Sequence, residues 1–160
     1  MMNENHEVES IWADGVPERV DTKDILSNNE INDIAIDYTA KFLITKGYKL
    51  NLNFPRKEAP QIMCKKDGTL YAIFVVGSVF PNNLWINDDV RLKIVEDSKK
   101  FNFVPLFANP ALSSKDPAKA KVKLLLKGDV FNVHFMGLRK ITEEAQAPNI
   151  PPNSSFWFER

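Results

Sequence analysis

The chain has 160 residues, and its 21 basic and 21 acidic side chains give a formal net charge of zero at pH 7. This balance disfavours a generally basic nucleic-acid-binding protein, although it permits a local basic face. No apolar run approaches the roughly 18 residues of a membrane-spanning helix, and the acidic, polar start MMNENHEVES is unlike a signal peptide. A single cysteine, Cys64, excludes an intramolecular disulfide and fits a reducing cytoplasm, which is the predicted location of a soluble protein.

The composition divides the chain into three predicted parts. Residues 1–24 form an acidic arm in which Arg19 and Lys23 are the basic residues. Residues 25–142 are long enough for one globular domain with its own core. Residues 143–160 contain three prolines and end in an aromatic run, Phe156-Trp157-Phe158, which is too apolar to remain in water. We therefore predict that this C-terminal tail docks on the domain.

The first predicted helix begins at Ser27. Ser27 and Glu30 have the spacing of a capping box, in which each side chain bonds the other residue's backbone N–H. Apolar residues then recur at helical spacing from Ile31 to Phe42, and Gly47 is a suitable residue to end the helix. From Tyr48 to Phe54 apolar and polar residues alternate, which predicts a half-buried strand.

A β-hairpin follows this strand. Leu70 to Val76 is an uninterrupted apolar run, typical of a strand that is buried on both faces. Asp67-Gly68 precedes it and favours a tight two-residue turn, because both central positions of such a turn need a positive φ. The partner strand is the weaker pattern that ends at Lys66.

Residues 88–108 predict a helix and then a strand. Asn87 is a candidate N-cap, and acidic residues at the start and lysines at the end of residues 88–100 both favour the helix dipole. The apolar run from Phe101 to Ala108 predicts a strand. Since Pro105 cannot donate a hydrogen bond, we expect part of that strand to lie near an edge or a bulge. Residues 109–116, with Pro110 and two serines, predict a loop.

The last predicted element is a second hairpin, with strands at residues 121–127 and 130–138 around Gly128-Asp129. One face of this hairpin is apolar. The other would be basic and polar, and it carries the candidate binding residues Lys121, Lys123, Lys127 and His134. Lysines on an exposed hairpin commonly protect a sheet edge from aggregation. We favour that interpretation over a stripe that contacts phosphates.

Residues 27–109 thus read as helix, strand, strand, strand, helix, strand, with Gly47-Tyr48 closing the first helix. This order resembles the core of the PD-(D/E)XK nuclease superfamily, which has the restriction-endonuclease-like fold. The resemblance implies an α/β (α+β) fold in which helices flank a mixed β-sheet, with the core order α-β-β-β-α-β. The C-terminal β-hairpin would be an addition to that core.

The superfamily's chemistry requires carboxylates that hold Mg²⁺ and a lysine near the attacking water. It carries an acidic residue on the first strand of the hairpin and an E-x-K or D-x-K triplet on the second. Here the first position falls at Gln61 or Ile62. The triplet falls at Val75-Val76-Gly77 by the register of the turn, or near Gly77-Ser78 if that register slips. None of these residues has a carboxylate, so the resemblance implies a member without its catalytic residues. A rearranged metal site from Glu58 and Glu96 with Lys65 is the less favoured alternative.

Other catalytic patterns are weak. His6 and His134 do not have the spacing of a zinc site, and we predict neither a metal nor a cofactor. A nucleophilic pair of Cys64 and His134 is less favoured than a buried, inert thiol, because Cys64 lies in an apolar run. We therefore predict a non-catalytic interaction module that binds another protein and no membrane. A nucleic-acid-binding protein, or a divergent metal-dependent nuclease, is the alternative.

Overall fold

The computed structural model describes residues 21–51, 58–82, 84 and 86–144. Most of the predicted acidic arm and of the C-terminal tail lies outside these residues, as does the end of the strand predicted to reach Phe54. The helices are α1 (Asn28–Thr45), α2 (Asp88–Phe101) and α3 (Pro117–Lys121), and the strands are β1 (Lys49–Leu50), β2 (Ile62–Lys66), β3 (Thr69–Val75), β4 (Ser78–Val79), β5 (Val104–Ala108), β6 (Ala111–Ser114), β7 (Phe131–His134) and β8 (Arg139–Lys140). In the described ranges, no helix is both long and apolar enough to cross a membrane.

Both long helices begin as their sequences predict, and α1 also ends as predicted. α2 includes Phe101, so the strand predicted from Phe101 begins only at Val104. The Ser27 side chain accepts from the Glu30 N–H, and the Glu30 carboxylate accepts from the Ser27 N–H, so the capping box is confirmed. The Asn87 side chain caps α2 by accepting from the Val90 N–H. Gly47 follows α1 with a φ of 91°, the left-handed conformation that glycine adopts at helix ends without steric cost.

Five strands form the larger sheet, in the order β1-β2-β3-β5-β8. β1, β2 and β3 are antiparallel neighbours, and Asp67-Gly68 makes the predicted turn between β2 and β3 with φ values of 52° and 82°. β5 lies parallel to β3, and β8 is antiparallel to β5. The fold is therefore α+β with a mixed sheet, which confirms the predicted class.

The two long helices cover opposite faces of this sheet. Residues of α1, among them Ala35 and Leu43, pack against Ile73 and Leu106 in one core cluster. On the other face, Ile94 of α2 packs with further sheet residues, among them Phe107. Alternate residues of the central strands therefore face different helices, and this explains why β3 and β5 are apolar along their whole length.

A smaller sheet has the order β4-β6-β7 and continues from the larger one. β3 runs into β4 and β5 runs into β6, and the parallel pairing is maintained across the bend. The Val76 N–H donates to Ala108 O at 2.9 Å, and the Ser78 N–H donates to Pro110 O at 3.1 Å. Two neighbouring strands thus pass together from one sheet into the next, and we call residues 76–78 and 109–110 the crossover.

The predicted loop at residues 109–116 is wrong, because Ala111 to Ser114 form strand β6. Ser113 and Ser114 favoured a loop, yet both are buried in the strand. Their hydroxyls have partners there: the Ser113 Oγ lies 2.9 Å from His134 Nε2, and the Ser114 Oγ accepts from the Asp116 N–H. Satisfied hydroxyls remove the penalty for burying a polar side chain.

The predicted second hairpin is also wrong. Asp116 caps a short helix, α3, with Pro117 at its first turn, so residues 121–127 do not form a strand. Leu124 and Leu125 are consecutive and are both buried, unlike the alternate residues of a half-buried strand. β7 is shorter than predicted and pairs with β6 instead.

Pro105 does not lie on an edge strand, because β5 runs between β3 and β8. The Pro105 carbonyl accepts from the Ile141 N–H, so the nitrogen of Pro105 also faces the side of β8. β8 pairs only with Leu106 and Phe107. The proline therefore occupies the position where the short β8 has ended and no N–H is needed.

Candidate functional site

The crossover lies at the carboxyl ends of the parallel strands β3 and β5. In open α/β sheets ligands bind outside the carboxyl ends of the strands, and the residues that match the nuclease positions are found here. This makes the crossover the first candidate site.

The hairpin brings together the two positions that the nuclease resemblance selects. The Val75 N–H donates to Gln61 Oε1 at 2.8 Å, and the Gln61 N–H donates to Ile73 O at 3.1 Å. Gln61 is only 7% exposed, while Ile62 and Val75 are buried in the core. The positions therefore converge, but a neutral amide that is already hydrogen-bonded takes the place of a metal-binding carboxylate.

Gly77 lies where the triplet's lysine would be. Its N–H donates to Asn32 Oδ1 at 2.7 Å, which ties the crossover to α1. A Cβ atom at this residue would lie 2.9 Å from both Ala35 Cβ and the Ile31 carbonyl oxygen. Such contacts are too short for carbon, so a lysine side chain does not fit against α1 at this position.

Asn109 occupies the matching place on the other strand. Its Nδ2 donates to Val76 O and lies 3.3 Å from Ser78 Oγ, and its Oδ1 accepts from the Leu84 N–H at 3.0 Å. Neither Asn32 nor Asn109 was predicted from the sequence as a site residue. The one signal for Asn109 was its place directly after a buried apolar strand. Its polar groups bind backbone, so it holds the bend together.

The alternative metal site has no support in the geometry. Glu58 and Glu96 are both exposed, and Glu96 lies on the outer face of α2. Lys65 is exposed on β2. Among the residues that the structure describes, no three His, Cys, Asp or Glu side chains come close enough to hold a metal ion.

The predicted basic face is not assembled. Lys121 ends α3, and Lys123 follows it with a φ of 58°. Lys127 forms an ion pair with Glu30 at 3.5 Å. His134 lies on β7, where its ring stacks on Phe80 with ring centres 3.7 Å apart and bonds Ser113. The lysines therefore do not share a strand face with His134.

Cys64 is a buried residue, as predicted, and it does not pair with His134. It belongs to the core cluster between α1 and the larger sheet, whereas His134 is in the smaller sheet. Burial raises the pKa of the Cys64 thiol to about 12, so the nucleophilic thiolate is scarce at neutral pH.

Three apolar side chains of α2 are exposed, and one of them, Leu92, lies on the outer face of the helix, where it lines a groove. Val90 is 47% exposed, Leu92 is 49% exposed and Phe101 is 61% exposed. A groove of about 830 Å³ runs along this face between side chains of both charges, among them Lys93 and Glu96.

The chain after β8 is fixed beside this groove. The buried Arg91 guanidinium donates to the Thr142 carbonyl at 3.0 Å and to the Glu143 carbonyl, and it pairs with Asp88. Lys99 Nζ lies 2.8 Å from Glu143 Oε2, and this hydrogen bond lowers the pKa of the Glu143 carboxyl. One wall of the groove is thus built from residues that follow the core in the chain.

Comparison with curated proteins finds none that matches this chain. Residues 29–141 match a family described as Domain of unknown function (DUF8840). The matched segment begins in the first turn of α1 and ends directly after β8, so it contains both sheets and the crossover. Since it covers more than half of the sequence, the chain belongs to the DUF8840 family.

Proposed function

We propose that this protein is a non-catalytic module with a nuclease-like core, which binds another protein. The observation that carries the proposal is the hydrogen bond from the Val75 N–H to Gln61 Oε1. It joins the two positions where the PD-(D/E)XK superfamily holds its metal. Here those positions are closed by an uncharged, buried contact.

Two features of the crossover oppose catalysis. Mg²⁺ binds through carboxylates and keeps several waters, which requires charge and space. Gln61 supplies neither charge nor a free oxygen directed away from the sheet, and Gly77 has no room for a lysine beside α1. A core of this kind retains the shape of a nuclease site without the groups that activate water.

The outer face of α2 favours a protein as the partner. It combines the exposed Leu92 with three lysines and three carboxylates around a groove. Protein interfaces have an apolar centre and a polar rim, whereas nucleic-acid sites are predominantly positive. Asp89, Glu96 and Glu143 in the same groove would repel a phosphate backbone.

Cleavage assays test the non-catalytic half of the proposal. The purified chain should leave single- and double-stranded DNA and RNA intact in Mg²⁺ or Mn²⁺. Metal-dependent cleavage that disappears in Glu58→Ala or Glu96→Ala would sink the proposal, because it would show that a rearranged carboxylate site is active. Lys41→Ala, at an exposed residue of α1, provides a surface control that should leave any cleavage unchanged.

Affinity capture with paired variants tests the partner. A protein bound through α2 should be retained by the wild-type chain and by Ile44→Asp, which alters an equally exposed residue on α1. It should be lost with Leu92→Asp. A set of captured proteins that is the same for all three chains would contradict a binding face on α2.

The alternative is nucleic-acid binding, and the exposed Lys121 and Lys123 favour it. Their substitution by glutamate should weaken binding and reduce its salt dependence if these residues neutralise phosphates. An unchanged salt dependence, measured by fluorescence anisotropy, would exclude this surface as the nucleic-acid site.

A further inference from the structure

Among the elements that the structure describes, no helix lies over one half of the larger sheet. On one face of the sheet, α2 packs over the buried residues Ala72 of β3 and Phe107 of β5. Towards β1 the same face is open, and a cavity of about 540 Å³ lies there. Its lining comes from β1, β2 and the start of β3, and it includes Lys49, Met63, Lys65 and Leu70.

Strand pairing places two lysines side by side in this cavity. Lys49 of β1 is directly opposite Lys65 of β2, and Lys65 is opposite Leu70 of β3. Residues opposite one another on antiparallel strands share a face and lie about 5 Å apart at Cβ. The three side chains therefore start from one row across the sheet, with the two lysines as neighbours and the leucine next to Lys65.

Two lysines opposite each other lower the stability of the strand pair unless a negative charge offsets theirs. Like charges directly opposite on neighbouring strands destabilise the pair. Neither Lys49 nor Lys65 forms an ion pair or a hydrogen bond through its side chain within the described ranges of the chain. Protection of a sheet edge accounts for Lys49, which is on the outermost strand, but not for Lys65 on the strand inside it. An anion between the two ammonium groups would remove the repulsion.

The floor of the cavity is apolar. Met63 and Leu70 are partly buried, and Met63 packs against the cluster beneath α2. The described residues that line the cavity include no aromatic ring, so they offer no platform on which a nucleic-acid base would stack. Its volume lies within the range of roughly 300–1,000 Å³ that is typical of small-molecule sites.

We propose that this cavity binds a small amphipathic anion, whose carboxylate or phosphate head lies between Lys49 and Lys65 and whose apolar body covers Met63 and Leu70. The site is separate from the crossover and from the outer face of α2. It does not depend on the function proposed above, since a chain that cleaves nucleic acid could carry it equally well.

Calorimetric titrations with decanoate, decyl phosphate and uncharged decanol test this site in the full-length chain. Decanoate or decyl phosphate should bind, the tighter of the two identifying the head group, and binding should weaken as salt is added. The double variant Lys49→Gln with Lys65→Gln should reduce that affinity about tenfold, because two ion pairs are lost. The matched variant Lys23→Gln with Lys41→Gln, at two exposed lysines outside the cavity, should leave it unchanged.

Three results would overturn the proposal: no binding of either anion, equal binding of decanol, or equal losses in the two double variants. Thermal unfolding of each variant verifies that the fold is intact. If the double variant does not fold, Lys65→Gln alone should still weaken binding, and an unaltered affinity in that variant would count against the site. A second experiment uses Leu70→Ala. This variant should bind decanoate and decyl phosphate more weakly, because the decyl chain loses a contact. Inorganic phosphate should still compete for the head-group position as it does in the wild-type chain.

Discussion

The crossover and the open end of the larger sheet lie at opposite ends of the same strand, β3. At the crossover three polar side chains bind backbone: Gln61 binds Val75, Asn32 binds Gly77 and Asn109 binds Val76. At the open end two lysines face each other across β1 and β2. The first region favours the folded state, whereas the second places two like charges opposite each other, and a residue choice that does not favour folding is the better sign of a binding site.

The largest expected effect tests how tightly the crossover is closed. Gly77→Ala should lower the free energy of unfolding by about 2 kcal/mol, because the new methyl group would collide with Ala35 and with the carbonyl of Ile31. Urea denaturation measures the change. A loss below about 0.5 kcal/mol would show that α1 can move away from the crossover, and the comparison between the two ends would then fail.

A somewhat smaller loss is expected at Gln61. Gln61→Met keeps the approximate size of the side chain but leaves the buried Val75 N–H without its acceptor, which costs about 1–2 kcal/mol. Gln61→Glu keeps an acceptor and places a carboxylate where the proposed nuclease resemblance expects one. We expect no cleavage by this variant, because Gly77 leaves no room for the lysine of the triplet.

The N-terminal cap of α1 supports the crossover from the helix side. Ser27→Ala should cost about 1 kcal/mol in urea denaturation, because the Glu30 N–H loses its acceptor. The backbone hydrogen bond from Ser27 lowers the pKa of the Glu30 carboxyl below 4.5 in the folded chain. Its stabilising effect is therefore complete above the pKa of the unfolded chain and is lost as the pH falls through the folded pKa. Glu30→Gln should remove this part of the acid sensitivity.

The smallest effect has the opposite sign. Lys65→Glu should raise the free energy of unfolding by about 0.5 kcal/mol, because attraction to Lys49 replaces repulsion across the strand pair. Lys121→Glu, on an exposed helix end, is the control for a general change in net charge. If both variants shift the urea midpoint equally, the lysine pair is not a local source of strain.

The elements with local signals were predicted well. The Ser27–Glu30 box, the Asn87 cap and the Asp67-Gly68 turn each need only neighbouring residues, and all three form. The meeting of Gln61 and Val75 also followed from the turn, since the register of a hairpin fixes which residues are near each other.

The second half of the chain could not be predicted in the same way. Ser113 and Ser114 are acceptable in a strand because His134 and the Asp116 N–H are brought to them from elsewhere. Asp116-Pro117 is a recognisable signal for the start of a helix, but the alternation of lysines and leucines at residues 121–126 favoured a strand. The crossover forms because two neighbouring strands bend at the same level, and no local sequence pattern predicts such a paired bend.

Because β3 and β5 continue as β4 and β6 in the smaller sheet, the two sheets form one mechanical unit. Neither sheet can peel away without breaking the parallel hydrogen bonds at Val76 and Ser78. Amide hydrogen exchange at these two residues should therefore occur only through global opening, at the rate of the central strands. Because the pairing joins segments more than thirty residues apart, the two sheets should also form late and in one cooperative step.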